Sequence, residues 1–125
     1  MIGLDAVDIS RFEHWSKYPI KQLQKVFHND EINYALSNPK KTAERLAARF
    51  AAKEAFYKAL SAVTNKKYSL LYIFKNAHVD HGENGAPVLI VNSYALDLNY
   101  SYSLTITHTN KTAIALVMIT SRQTQ

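Results

Sequence analysis

The chain has 125 residues, a formal net charge of +5 and no cysteine, and its pI near 9.4 calls for an acidic partner: nucleic acid, a phosphorylated ligand or an acidic protein. A single domain over residues 1–125 is expected, a disulfide framework and a thiolate metal site are excluded, and a reducing, cytoplasmic setting is expected. Asp5 and Asp8 stand where a signal peptide would carry basic and then apolar residues, and nowhere do about eighteen apolar residues run together, so neither a signal peptide nor a membrane span is expected.

The opening "MIGLDAVDI" is short and bounded by charge, which predicts a strand. Its period of two puts Asp5, Val7 and Ile9 on one face and Leu4, Ala6 and Asp8 on the other. "SRFEHWSKYPIKQLQKVF" predicts helix in pieces, with Pro19 where a new turn can begin. "HNDEINYALSN" predicts a second short helix, capped by Asn29, with Asp30 and Glu31 suited to the positive end of its dipole. "NPKKTAERLAARFAAKEAFYKAL" starts at an Asn-Pro boundary and continues in strong helix formers, so it predicts the main helix. In the second half "ENGAP" predicts a turn into an apolar strand. "NYSYSLTITHT" and "TAIALVMIT" predict an antiparallel hairpin joined at "HTNKT", and "SRQTQ" predicts a frayed tail. The fold class is α+β: an N-terminal strand, helices, then a mostly antiparallel sheet.

Within the main helix, about 100° per residue places Leu46, Tyr57, Phe50, Glu54 and Ala47 in that order around one apolar sector. Glu54 is therefore bracketed by apolar neighbours, as Asp5 is on its strand. An ionised carboxylate in such a place needs a partner, because burying it unpaired costs several kcal/mol. Two partners suit Glu54: Lys58, one turn on, or a cation shared with Asp5, for which Mg2+ is the ion that favours carboxylate, water and phosphate oxygens. Phe56 and the alanines on the far side of the helix need cover from a second layer or from another subunit.

Three segments carry a family resemblance. "GLDAVDISRF", "RFAAKEAFYKAL" and "YSLTITHTNKTAIALVMI" resemble, in order, the three sequence motifs of the bacterial holo-acyl-carrier-protein synthases, the small 4'-phosphopantetheinyl transferases. "GAP" before an apolar strand is similar to that family's G-x-P segment. The resemblance implies a 4'-phosphopantetheinyl transferase-like fold and transfer of the 4'-phosphopantetheine arm of coenzyme A to a serine of apo acyl carrier protein, releasing adenosine 3',5'-bisphosphate. It implies Mg2+ held by Asp5 and Glu54, with Lys58 offering charge to phosphate and His108 and Thr109 binding substrate. The serine proton has two candidate acceptors, Glu54 and a water on the metal. A homotrimer with sites between subunits is also implied. So is a docking surface for the acidic carrier at Arg11, Lys21 and Lys25; the two lysines, four apart, are expected to share one face of the helix after Pro19.

Two departures bear on the coenzyme A pocket. Ser103 stands where the family's third motif has its first histidine, and "SAVTNKKYSLL" after Leu60 has no glycine where the family has a G-T-G turn. Outside the motifs, "HVDH" at residues 78–81 reads as a surface strand end, since His78 and His81 fall on opposite faces. Tyr94, Tyr100 and Tyr102 read as half-buried strand tyrosines. Base stacking on RNA is the competing reading, and it belongs to a rival function as a small basic nucleic-acid-binding domain. An interaction module that kept the fold and lost activity is a third reading.

Overall fold

A computed structural model describes residues 1–96 and 99–121. The strands are β1 (Ile2–Asp8), β2 (Ala77–His81), β3 (Pro87–Val91), β4 (Tyr100–His108) and β5 (Thr112–Ser121). The helices are α1 (Ile20–Leu23), α2 (Asn29–Leu36), α3 (Thr42–Val63), α4 (Leu70–Asn76) and α5 (Ser93–Leu96). Two antiparallel sheets form, one in the order β1-β5-β4 and the other a β2-β3 pair. The α+β expectation and the closing hairpin are both borne out, and β1 joins that hairpin by pairing Asp5 with Ala115 on the central strand.

The three-stranded sheet has one packed face. Gly3, Asp5 and Val7 alternate inward on β1, and on β5 the inward set is Ala113, Ala115, Val117 and Ile119. Against them lies α3, nearly all alanine on the contact side: Ala51, Ala52, Ala55 and Ala59 are fully buried. Phe56 is also fully buried and meets Tyr102 of β4 edge to face at 5.5 Å. The cover for the far side of α3 therefore comes from the chain's own sheet. Tyr100 and Tyr102 are half-buried strand residues, whereas Tyr94 lies on α5 and is exposed.

Four local expectations change. The cap of α2 is His28 rather than Asn29: its Nδ1 accepts from the Asp30 amide at 3.1 Å, and Glu31 Oε1 accepts from the His28 amide at 2.9 Å. An imidazole acceptor fills the role usually taken by Ser, Thr, Asp or Asn. Ile9 leaves the strand for a short 3-10 turn, Ile9–Phe12. Helix α1 ends at Leu23, so Lys25 lies beyond it; i→i+3 bonds take over there, and the Val26 carbonyl turns to accept from Lys53. Helix α4 is not among the expected elements, and its local signal is Ser69, whose hydroxyl accepts from the Tyr72 amide at 3.1 Å. The "ENGAP" turn is present as the β2-β3 connection, with Gly85 at φ 77°, a conformation open to glycine. The tail at 122–125 lies outside the described residues.

The other side of α3 is held by an ion pair. Lys53 and Glu31 have fully buried side chains with Nζ and Oε1 2.6 Å apart. Lys53 also donates to the carbonyls of Val26 at 2.7 Å and Phe74 at 3.4 Å, and Glu31 Oε2 accepts from the Val79 amide at 2.9 Å. Burial pulls the lysine below its usual range and Glu31 opposes that pull. One carboxylate thus ties α2, α3 and β2 together. Glu31→Gln is expected to lower stability by about 3–5 kcal/mol, because Lys53 is left charged without its counterion. The double variant E31Q/K53M, which removes both charges, should regain most of that loss. Denaturant unfolding reads both; a Glu31→Gln variant as stable as the native chain would mean that the two carbonyls alone satisfy Lys53.

Candidate active site

Asp5 and Glu54 arrive from different elements. Asp5 is on the inward face of β1 with 7 % of its surface exposed, and Glu54 is half-buried on α3. Burial first, and then the neighbouring Asp5 carboxylate, raise the Glu54 pKa above the ordinary carboxylate range; the Lys58 and Arg11 charges work against that rise. Two carboxylates are therefore pressed together on a common site.

Lys58 is nearby but is committed elsewhere. Its ammonium donates to Asp5 Oδ1 at 2.8 Å and to the Leu4 carbonyl at 3.1 Å, and the bond to Asp5 is the main reason its pKa is raised. Of the two partners foreseen for Glu54, the lysine one turn on makes its hydrogen bonds to Asp5. Asp5 Oδ2 is buried and accepts no hydrogen bond among the described residues. A buried carboxylate oxygen in that state, beside a second carboxylate with a raised pKa, has the chemistry of a divalent-cation site: hard anionic oxygens with too few donors. The residues fit Mg2+.

A second cleft, about 230 Å3, opens between α2, α3, the β2-β3 turn and the end of β4. Its lining includes Lys41, Arg45, Arg49, His81 and His108, and Gly85 and Pro87 form part of its wall. Arg45 and Arg49 stack over the Tyr34 ring with guanidinium carbons 3.9 and 4.4 Å from its centroid. Arg49 is buried, and its Nε has no acceptor among the described residues. Of these five nitrogen-bearing residues, only His108 is an expected site residue. It is exposed, with Nε2 3.1 Å from Glu44 Oε1. The missed signal is the Arg45/Arg49 spacing, one turn apart in "RLAARFAAKEA".

The remaining expected residues are dispersed. Thr109 closes the β4-β5 turn: its hydroxyl accepts from the amides of Lys111 at 3.1 Å and Thr112 at 3.0 Å. Arg11 is exposed beyond β1, with its guanidinium 5.4 Å from the Phe50 ring centre. Lys21 and Lys25 are exposed, the first on α1 and the second after it. Ser103 points to the outer, exposed face of β4 and pairs with Met118. The stretch after Leu60 finishes α3 at Val63 before α4 begins, so no glycine turn is needed to leave the helix.

Comparison with known proteins gives a consistent answer. Residues 1–117 match the 4'-phosphopantetheinyl transferase superfamily. A holo-[acyl-carrier-protein] synthase of Treponema denticola is 37 % identical over 124 residues, covering 94 % of this chain and 95 % of its own. One from Bacillus cereus is 31 % identical over 122 residues, covering 96 % and 94 %. Among solved structures, the Bacillus anthracis synthase in complex with CoA (3',5'-ADP) superposes with a TM-score of 0.76 at 29 % identity, covering 97 % of this chain and 96 % of that one. The Helicobacter pylori synthase in complex with coenzyme A gives a TM-score of 0.75 at 30 % identity, covering 96 % and 100 %. With the match running through β1, α3 and the β4-β5 hairpin, the elements that carry Asp5, Glu54 and His108, the chain belongs to the 4'-phosphopantetheinyl transferase superfamily.

Proposed function

We propose that this chain is a holo-acyl-carrier-protein synthase, moving the 4'-phosphopantetheine arm of coenzyme A to a serine of apo acyl carrier protein. The observation that carries the reading is the meeting of Asp5 and Glu54 with Asp5 Oδ2 left, among the described residues, without a donor. Asp5 and Glu54 would hold Mg2+, which when bound neutralises charge on the pyrophosphate and on the leaving bisphosphate. Lys58 positions Asp5 by holding Oδ1 and leaving Oδ2 free, and its exposed ammonium has a third N–H to offer a phosphate oxygen. Glu54, made more basic by burial and by Asp5, is the side chain of the site suited to take a proton from the attacking serine. The arginine-rich cleft suits the 3',5'-bisphosphate end of coenzyme A: Arg49, whose Nε has no acceptor among the described residues, and the stacked Arg45 present planar donors to phosphate, with His108 beside them.

Two surfaces complete the proposal. The outer face of the three-stranded sheet is apolar: Ile2, Leu4 and Ala6 on β1 pair across to Met118, Leu116 and Ile114 on β5, and Ile2 and Leu4 are 62 % and 56 % exposed. Such a patch supports assembly of copies through this face, and threefold closure is the form the family resemblance implies. Arg11, Lys21 and Lys25 supply positive charge for the acidic carrier. The setting is proposed to be cytoplasmic.

The direct test is to incubate the chain with coenzyme A, Mg2+ and apo acyl carrier protein and to weigh the carrier. A phosphopantetheine mass gain is expected, with Asp5→Asn and Glu54→Gln each losing at least about a hundredfold in rate, the scale on which removing one electrostatic stabiliser acts. Full activity in either variant would remove that residue from the site. The two surfaces should separate. Lys21→Glu with Lys25→Glu is expected to raise the carrier's KM at low salt and leave that of coenzyme A unchanged, whereas Leu4→Lys is expected to dissociate the assembly in the ultracentrifuge. An active native monomer would exclude a shared site.

The sign of the Glu54 shift sets a pH test in the absence of metal. A carboxyl whose folded pKa is raised contributes stability that is fully present below its unfolded pKa and lost as pH rises through the folded value. At neutral pH the native Glu54 carboxylate is therefore unfavourable, and metal-free Glu54→Gln should melt above the wild type. The gap should close on acidification through the upper carboxylate range; a gap that widened there would reverse the assignment.

A further inference from the structure

A second cluster of donors lies away from the Asp5 site. Lys53 and Glu54, adjacent on α3, diverge: Glu54 faces Asp5 of β1, while Lys53 reaches Glu31 of α2 and the carbonyl of Phe74 on α4. Over the Glu31 side, His28 at the start of α2 stacks on His78 of β2, ring centres 4.0 Å apart and planes within 11°. Asp30 stands beside them with Oδ2 3.6 Å from His28 Nδ1. One ligand atom from each of His28, Asp30 and His78 lies within 4.8 Å of the others.

We propose that His28, Asp30 and His78 form a second metal site, for a borderline divalent transition metal of the Zn2+ class rather than for Mg2+. The donor set decides the class. Two imidazoles and one carboxylate suit Zn2+, Co2+ or Ni2+, whereas Mg2+ takes oxygen. Three protein ligands leave the remaining positions to water, and both His28 and Asp30 are open to solvent.

The scaffold fixes the spacing of the two imidazoles. Glu31 Oε1 accepts from the His28 amide and Oε2 from the amide of Val79, next to His78, so one buried carboxylate sets the distance between the two backbones that carry the rings. Lys53 holds that carboxylate in turn at 2.6 Å. Tetrahedral ligands at zinc distances sit about 3.3 Å apart, so binding draws the donors in from 4.8 Å and splays the parallel rings. It also exchanges the 3.1 Å bond from the Asp30 amide to His28 Nδ1 for the metal when that nitrogen ligates.

Calorimetric titration of the full chain with ZnCl2, without Mg2+, tests the site. One saturable equivalent is expected, weakened roughly tenfold or more in His28→Asn and in His78→Gln, as loss of one of three ligands requires. Asn at position 28 preserves the helix cap, so the first variant separates lost ligation from lost folding. His14→Gln is expected to bind like the native chain, and both site variants should keep transfer activity with Mg2+. No saturable Zn2+ binding overturns the proposal. So does native-strength binding in the His28→Asn/His78→Gln double variant, or binding that is lost in Asp5→Asn and retained in that double variant, which would put the ion at the carboxylate pair instead.

Discussion

The site depends on how closely β1 approaches α3. At Gly3 the strand lies directly on the helix backbone: a Cβ there would stand 1.9 Å from the Ala55 carbonyl oxygen and 2.8 Å from the Ala59 amide nitrogen. Backbone atoms cannot rotate aside as a side chain can, so glycine is required for contact and not for turning. The alanines of α3 complete the fit by keeping the helix thin where the sheet meets it. Two residues along the same strand face comes Asp5, and it reaches α3 at Glu54 and Lys58, which are one turn apart. A wider separation would leave the two carboxylates in separate solvent and remove the conflict that makes them a site.

Two charged residues on the apolar faces of α3 have opposite outcomes. Lys53 is fully buried, yet its ammonium has a carboxylate and two carbonyls, and Glu31 has two backbone amides besides the lysine. Every strong demand there is met, which is what a buried ion pair needs to persist. The Asp5–Glu54 pair is less buried and less satisfied: the Lys58 ammonium is hydrogen-bonded to Asp5, and among the described residues Oδ2 of Asp5 has no donor. Saturated partners mark Lys53–Glu31 as structural. Unsaturated ones are what set the Asp5–Glu54 pair apart, because native chains rarely leave a buried carboxylate oxygen without a donor.

The excess positive charge is not spread evenly. Part of it lines the cleft where Arg45 and Arg49 share the face of Tyr34, and part stands exposed around Arg11, Lys21 and Lys25. The outer sheet face between β1 and β5 carries apolar side chains instead. The chain therefore presents an arginine-lined cleft, a separate group of exposed basic residues and an apolar sheet face on different parts of its surface.

The sequence by itself determined the class of fold, the main helix, the closing hairpin and the two carboxylates, because each rests on a local rule: strand and helix periods, alanine and β-branched runs, and a charge bracketed by apolar neighbours. Motif order extended that to the family. Tertiary structure alone decided which partner each charge takes. Lys58 is four residues from Glu54 in the helix, yet its ammonium goes to Asp5, 53 positions away in sequence. Arg49 and His108 line one cleft only because β4 ends near the start of α3. His28 meets His78 because Glu31 bonds to both α2 and β2. Periodicity tells which face of an element a residue occupies, but the neighbour across that face is set by packing between elements distant in sequence, and hydrogen bonds and ion pairs are made with that neighbour.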